Sequence, residues 1–214
     1  MGKNKLKRFE KMKSFTNVFE FSKEMKGKWN EGFFQNQNPV VLELACGGGE
    51  YAVALARKFP DKNFIGVDIK GARMFKGALI ATEEKISNVA FLRINIDHIE
   101  EYFERNEVSE IWITFPDPFL RDAKWKKRLT SSLFLNRYKN ILKTNAFIHL
   151  KTDSPELYDF TMRTIEEMKL TLHFQTDDVY MNMPNDEILS IKTFYEQMHL
   201  AKGKTIKYVR FSIS

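Results

Sequence analysis

The stretch "VVLELACGGGE", residues 40–50, decides the fold: four apolar residues around one acid run into three consecutive glycines, and "YAVALARKF" follows with its apolar residues at helical spacing. A strand that passes through glycines straight into a helix is the opening unit of a parallel α/β sheet. Gly47 to Gly49 place no side chain between backbone and ligand, and the helix beyond offers N–H groups without partners. The loop has neither the Lys-Ser/Thr of a P-loop nor the spacing of G-x-G-x-x-G. Glu43 at the strand end would repel a diphosphate. A ligand with a cationic, amino-acid-like part suits the turn better.

Outward from this unit the alternation continues. Strands are expected at "NFIGVDI" (63–69), "VAFLRINI" (89–96), "EIWITF" (110–115) and "AFIHLKT" (146–152), with helices over 50–59, 71–86, 97–105 and 131–142 between them. After residue 153 a helix over 154–168, a strand "LTLHFQ", a helix over 186–199 and a last strand "TIKYVRFSI" are expected, the two late strands forming an antiparallel edge. The sum is an α/β chain with a mostly parallel, seven-stranded sheet covered by helices on both faces. Residues 1–39 read as a basic arm with a short helical region, and residues 40–214 as the sheet domain.

In such sheets ligands sit beyond the carboxyl ends of the strands. Asp68 ends the second expected strand, 21 residues after Gly47, the spacing at which an acid accepts bonds from ribose hydroxyls. Asn95 ends the third, where an amide meets an adenine edge. Together these describe a site for a nucleoside with a charged tail. S-adenosylmethionine fits best, with NAD the alternative. Asp117 lies past the fourth strand in "FPDPFLRDAKWKKRL", residues 115–129, between two prolines that restrict its backbone. The basic run behind it, Lys124, Lys126, Lys127 and Arg128, suits a phosphate backbone, with Asp117 facing the base and Trp125 either stacked on a base or packed inward.

Charge distribution agrees with this reading. The 214 residues carry a formal net charge of +6. Six cations against Glu10 lie in residues 1–13, and five against Asp122 in residues 121–128, so two basic patches sit on a mildly acidic body. That pattern suits a polyanion such as nucleic acid, though either patch alone also reads as a solvated surface. The single Cys46 precludes an intrachain disulfide, four scattered histidines give no metal-ligand spacing, and a reducing, cytoplasmic setting is expected. No run of 18 apolar residues and no signal-peptide core occurs, so no membrane attachment is expected.

The motifs "LELACGGGE", "GVDI", "FPDPF" with "KWKKRLT", "FLNRYKNIL", "HLKTD" and "TFYEQMHLAKGKTIKY" resemble the bacterial tRNA (guanine-N7-)-methyltransferases, from about residue 40 to the C-terminus. The resemblance implies a class I, Rossmann-like S-adenosylmethionine-dependent fold, with Glu43, Asp68, Asn95 and Asp117 lining the cofactor site beside Gly47 and Gly49. It implies further that Arg121 contacts substrate, that residues 123–128 bind RNA, and that Asp153 with Thr193 through Glu196 contacts the guanosine, in the variable loop of tRNA. Two departures stand out: Asn95 replaces the family's usual Asp, and "FLRDA" replaces its Trp-Pro followed by basic residues.

Chemistry fits this reading. Guanine N7 is an acceptor with an exposed lone pair and no proton to lose, so attack on a sulfonium methyl needs no general base there. Alignment, and acids that offset the charge arriving on the base, would supply the rate. Asp117 is the expected orienting acid, and Asp153 and Glu196 could accept the N–H donors of the Watson–Crick edge. The alternatives are a small-molecule methyltransferase and an RNA-binding protein of the same fold with lost or altered activity.

Overall fold

The computed structural model describes residue 8, residues 10–12 and residues 14–213 of the chain. Of the expected basic arm, Lys3, Lys5, Lys7 and Lys13 fall outside the described residues, whereas Arg8 and Lys11 lie over the Phe75 ring at 5.9 and 5.8 Å.

Eight strands form one sheet among the described residues: β1 (Val18–Glu20), β2 (Val40–Leu44), β3 (Asn63–Asp68), β4 (Val89–Arg93), β5 (Val108–Thr114), β6 (Leu142–Thr152), β7 (Thr171–Thr176) and β8 (Lys207–Ser212). Their order is β1-β4-β3-β2-β5-β6-β8-β7. Pairing is parallel from β1 through β6, and β8 runs antiparallel between β6 and β7. From Val18 onward the α-helices among the described residues are α1 (Glu50–Lys58), α2 (Gly71–Glu83), α3 (Ser132–Ile141), α4 (Pro155–Glu167), α5 (Val179–Asn182) and α6 (Phe194–Leu200).

The sheet thus has one strand more than the seven expected. β1 is only three residues long and pairs with β4 alone, too short for a two-residue period to show in the sequence. It is anchored by Trp29, fully buried, whose Nε1 donates to the Tyr102 carbonyl at 3.1 Å and whose ring meets Phe19 edge-on at 5.1 Å. Residues 18–34 therefore pack into the same core as the sheet. The helix expected over 186–199 is confined to α6. Lys151 Nζ takes the carbonyls of Leu189 at 2.5 Å and Ile191 at 3.0 Å, so those groups are held by a side chain rather than by a helical ladder.

Alternation along β2 separates the two cores. Val40, Leu42 and Leu44 face the layer that contains α3 and α4, and Val41 faces α1 and α2. Glu43 shares the face of Val41 and is buried. Its Oε2 accepts from the Ala52 N–H of α1 at 2.9 Å, and its Oε1 accepts from Thr114 Oγ1 of β5 at 2.8 Å. Burial pushes its carboxyl up to about 8, against the pull of those two bonds.

That value makes stability depend on pH in a definite direction. The folded state keeps a proton on Glu43 that the unfolded chain releases above its ordinary 4.5, so this residue's stabilisation is greatest at low pH and is lost as pH rises toward about 8. Glu43→Gln should therefore gain stability relative to the wild type between pH 5 and pH 8.5 in urea unfolding, and an unchanged difference would show that the carboxyl is already ionised.

Candidate active site at the strand ends

A cleft of about 750 Å³ opens beyond the carboxyl ends of β2 to β6. The chain goes from β2 to β3 and β4 on one side and resumes with β5 on the other, so the crevice lies where the strand order reverses. Its size falls within the range of about 300–1,000 Å³ usual for ligand pockets.

The glycine loop forms one wall. Gly47 and Gly49 have φ of 55° and 71°, a left-handed conformation that suits glycine. Gly47 and Gly48 line the cleft. Gly49 turns inward, where a Cβ would stand 2.3 Å from Phe91 Cε1, so its lack of a side chain lets α1 start against β4. Asp68 locks the loop: Oδ2 accepts from the Gly47 N–H at 3.0 Å and Oδ1 from the Lys70 N–H at 2.8 Å. Each oxygen keeps a second lone pair, and Asp68 lines the cleft. Asn95 also lines it, with Oδ1 accepting from the Asp97 N–H at 3.2 Å and its amide N–H groups without a partner among the described residues. Glu43 stands apart from these. It is buried behind the loop and shapes the cleft from below.

The opposite wall is the proline turn after β5. Asp117 is exposed and accepts the Phe119 N–H at 3.0 Å. Phe115 and Phe119 on either side have φ of 49° and 42°, an unusual conformation for aromatic residues, so the turn must be held from outside. Arg128 holds it. Its Nε donates to the Pro118 carbonyl at 3.1 Å and its Nη2 to the Phe119 carbonyl at 3.0 Å, with the guanidinium 4.4 Å over the Phe160 ring. Only 4% exposed, Arg128 leaves the expected RNA-binding set, because its donors are spent on the turn. Arg121, Lys124 and Lys126 remain exposed, and Lys127 reaches the cleft rim. Trp125 is 37% exposed, beside Lys126.

The third wall comes from the end of β6 and from α6. Asp153 lines the cleft, with Oδ2 at 2.5 Å from Lys204 Nζ and 3.2 Å from His199 Nδ1. Thr193 lines it as the cap of α6, its Oγ1 accepting the Glu196 N–H at 3.1 Å. Glu196, expected to meet the guanosine, faces away. It is fully buried, and its Oε1 lies 2.7 Å from Lys151 Nζ and accepts from the Tyr180 hydroxyl at 2.7 Å. Three apart, Thr193 and Glu196 looked like one binding face, but Thr193 is the cap of α6 at the cleft, itself largely buried, whereas the Glu196 side chain turns into the core.

Sequence reading missed Lys151, His199 and Lys204. The one signal for Lys151 was a cation inside the apolar run "FIHLKT", and the other two gain meaning only from contact with Asp153. Among the described residues no three His, Cys, Asp or Glu side chains are grouped to hold a metal, and no helix is long and apolar enough to cross a membrane.

Chemically the cleft has two halves. The half at β2 to β4 offers a side-chain-free loop, a carboxylate and an amide, which fits a nucleoside with a short charged tail. The half at β5, β6 and α6 offers two further carboxylates beside exposed cations.

Comparison with known proteins bears on the family and the fold. Residues 37–209 match the family described as "Putative methyltransferase". The tRNA (guanine-N(7)-)-methyltransferase of Bacteroides fragilis is 52% identical, covering 99% of this chain and 86% of its own. That of Christiangramia forsetii is 50% identical, covering 99% of each. Among solved structures, the 16S rRNA methyltransferase KamB superposes with a TM-score of 0.63 at 16% identity, covering 83% of this chain and 88% of its own, which speaks to the fold alone. Fold, strand-end cleft and full-length similarity converge: the chain belongs to the tRNA (guanine-N7-)-methyltransferase family.

Proposed function

We propose that the cleft holds S-adenosylmethionine against the glycine loop, Asp68 and Asn95, and a guanosine of tRNA against Asp117, Asp153 and Thr193, so that the chain methylates guanine N7. The observation that carries this reading is the opening of all these groups into one cleft with the exposed Arg121–Lys127 segment at its rim. The variable loop is the proposed target, since an unstacked loop base enters a pocket at less cost than a paired one. A tRNA substrate also argues for a cytoplasmic enzyme.

The residues present fit the cofactor. Asp68 keeps lone pairs for the ribose hydroxyls, and Asn95 supplies N–H donors for the adenine, a role its amide fills where the family's usual Asp would accept instead. Gly47 and Gly48 let the backbone approach the amino-acid tail. Bound there, S-adenosylmethionine supplies an electrophilic methyl group.

The chain's own part is mostly alignment and electrostatics. Guanine N7 carries the attacking lone pair and loses no proton, so no side chain acts as a base. Positive charge arrives on the purine as the bond forms. Asp117, kept rigid by Arg128 beneath its turn, offsets that charge and orients the ring. Asp153, held by Lys204, accepts N–H groups of the base. Arg121, Lys124, Lys126 and Lys127 meet the phosphates.

Incubating the protein with unmodified tRNA and methyl-labelled S-adenosylmethionine should yield labelled 7-methylguanosine on digestion; label in any other nucleoside would refute the base assignment. Asp117→Ala should lower turnover about 10²-fold or more with urea stability unchanged, by analogy with lost transition-state electrostatics. Near-normal turnover would remove its role. Replacing Lys124, Lys126 and Lys127 with Ala should weaken tRNA binding and reduce the slope of log K against log salt by about 2. Arg128→Ala should instead lower stability and leave that slope nearly unchanged.

A further inference from the structure

Helix α6 has only seven residues, yet it carries Thr193, Tyr195 and His199 to the cleft. Its first N–H, at Phe194, has no partner inside the helix, and it donates to Glu50 Oε2 at 3.2 Å. Glu50 is the first residue of α1, directly after the glycine loop. The same carboxylate takes Lys76 Nζ of α2 through Oε1 at 2.8 Å, and its carboxyl carbon lies 3.3 Å from where a Cβ on Gly48 would stand. One side chain therefore touches the loop, the helix behind it and the start of α6. From the core side, Lys151 binds both Glu196 and the carbonyls of Leu189 and Ile191, which holds α6 and its approach there, and Glu50 holds the first N–H of α6 from the loop side.

We propose that Glu50 is a positioning residue that couples the two halves of the cleft. Rooted in the loop that takes the cofactor, it sets where α6 stands over the guanosine half. Ordering of either half by its ligand then orders the other. The inference rests on the reading of the cleft given above and adds a property which that reading does not require. By linkage, tRNA should tighten cofactor binding by the same factor as cofactor tightens tRNA binding.

The test uses the full chain and S-adenosylhomocysteine, which binds without turnover. Its Kd is measured by calorimetry with and without saturating unmodified tRNA. In the wild type, tRNA should tighten it about fivefold or more, the low end of ordinary coupling. Glu50→Asp keeps the charge but withdraws the carboxylate by one methylene, and it should bring the ratio to within about twofold of unity. Glu50→Gln keeps an acceptor at full reach and should restore most of the ratio. Lys76→Met removes only the ion pair and should leave the ratio in place. A wild-type ratio of one, full coupling in Glu50→Asp, or loss of coupling in Lys76→Met would each overturn the proposal. Failure of the wild type to bind either ligand would overturn the reading of the cleft, and the inference with it.

Discussion

Glu43 is a buried carboxyl group on the α1 side of the central strand, and the geometry of the cleft depends on how it is satisfied. A buried acid must be hydrogen-bonded, and the two donors within reach belong to the first turn of α1 and to the end of β5. Meeting that demand fixes the start of α1 relative to β2 and β5 at once. The glycine loop between β2 and α1 is then confined, and Asp68 locks it from β3. The glycine loop, Asp68 and the proline turn are thereby set on one rim by a group that lies behind the cleft.

The half of the cleft at β5, β6 and α6 is built on a different principle. The segments that line it are short and irregular, and a buried cation stands behind each of two of them. Arg128 spends its donors on the carbonyls of the Asp117 turn, and Lys151 spends its own on the approach to α6 and on Glu196. Burial lowers the affinity of the Lys151 ammonium for its proton, and the Glu196 carboxylate opposes that effect. Removing either member would leave the other charge buried without its counter-ion, a costly state. Basic and acidic residues that read as surface groups in the sequence are here buried fixings behind the cleft wall.

The layering was legible because strand and helix periods differ and because parallel strands need crossovers. "VVLEL", "NFIGVDI" and "EIWITF" lie at β2, β3 and β5, and the late antiparallel edge is present as β7 and β8. What failed was short or locally ambiguous. Three residues of β1 carry too little pattern to read, and the helical spacing across 186–199 stops at α6 because a distant lysine claims the carbonyls before it.

By itself the sequence determined the α/β class, the glycine turn and the strand-end positions of Asp68, Asn95, Asp117 and Asp153, since each follows from local period and from where a strand must stop. Only the tertiary structure decided which charged groups face the cleft and which face the core. Arg128 is buried beside Lys127, which reaches the cleft, and Glu196 is buried three positions from Thr193, which lines it; the direction of a side chain at a turn or helix start is set by the partners that reach it. Those partners, Phe160 and the 118–119 carbonyls for Arg128, Lys151 and Tyr180 for Glu196, lie up to 45 residues away in the chain, at distances no local pattern encodes.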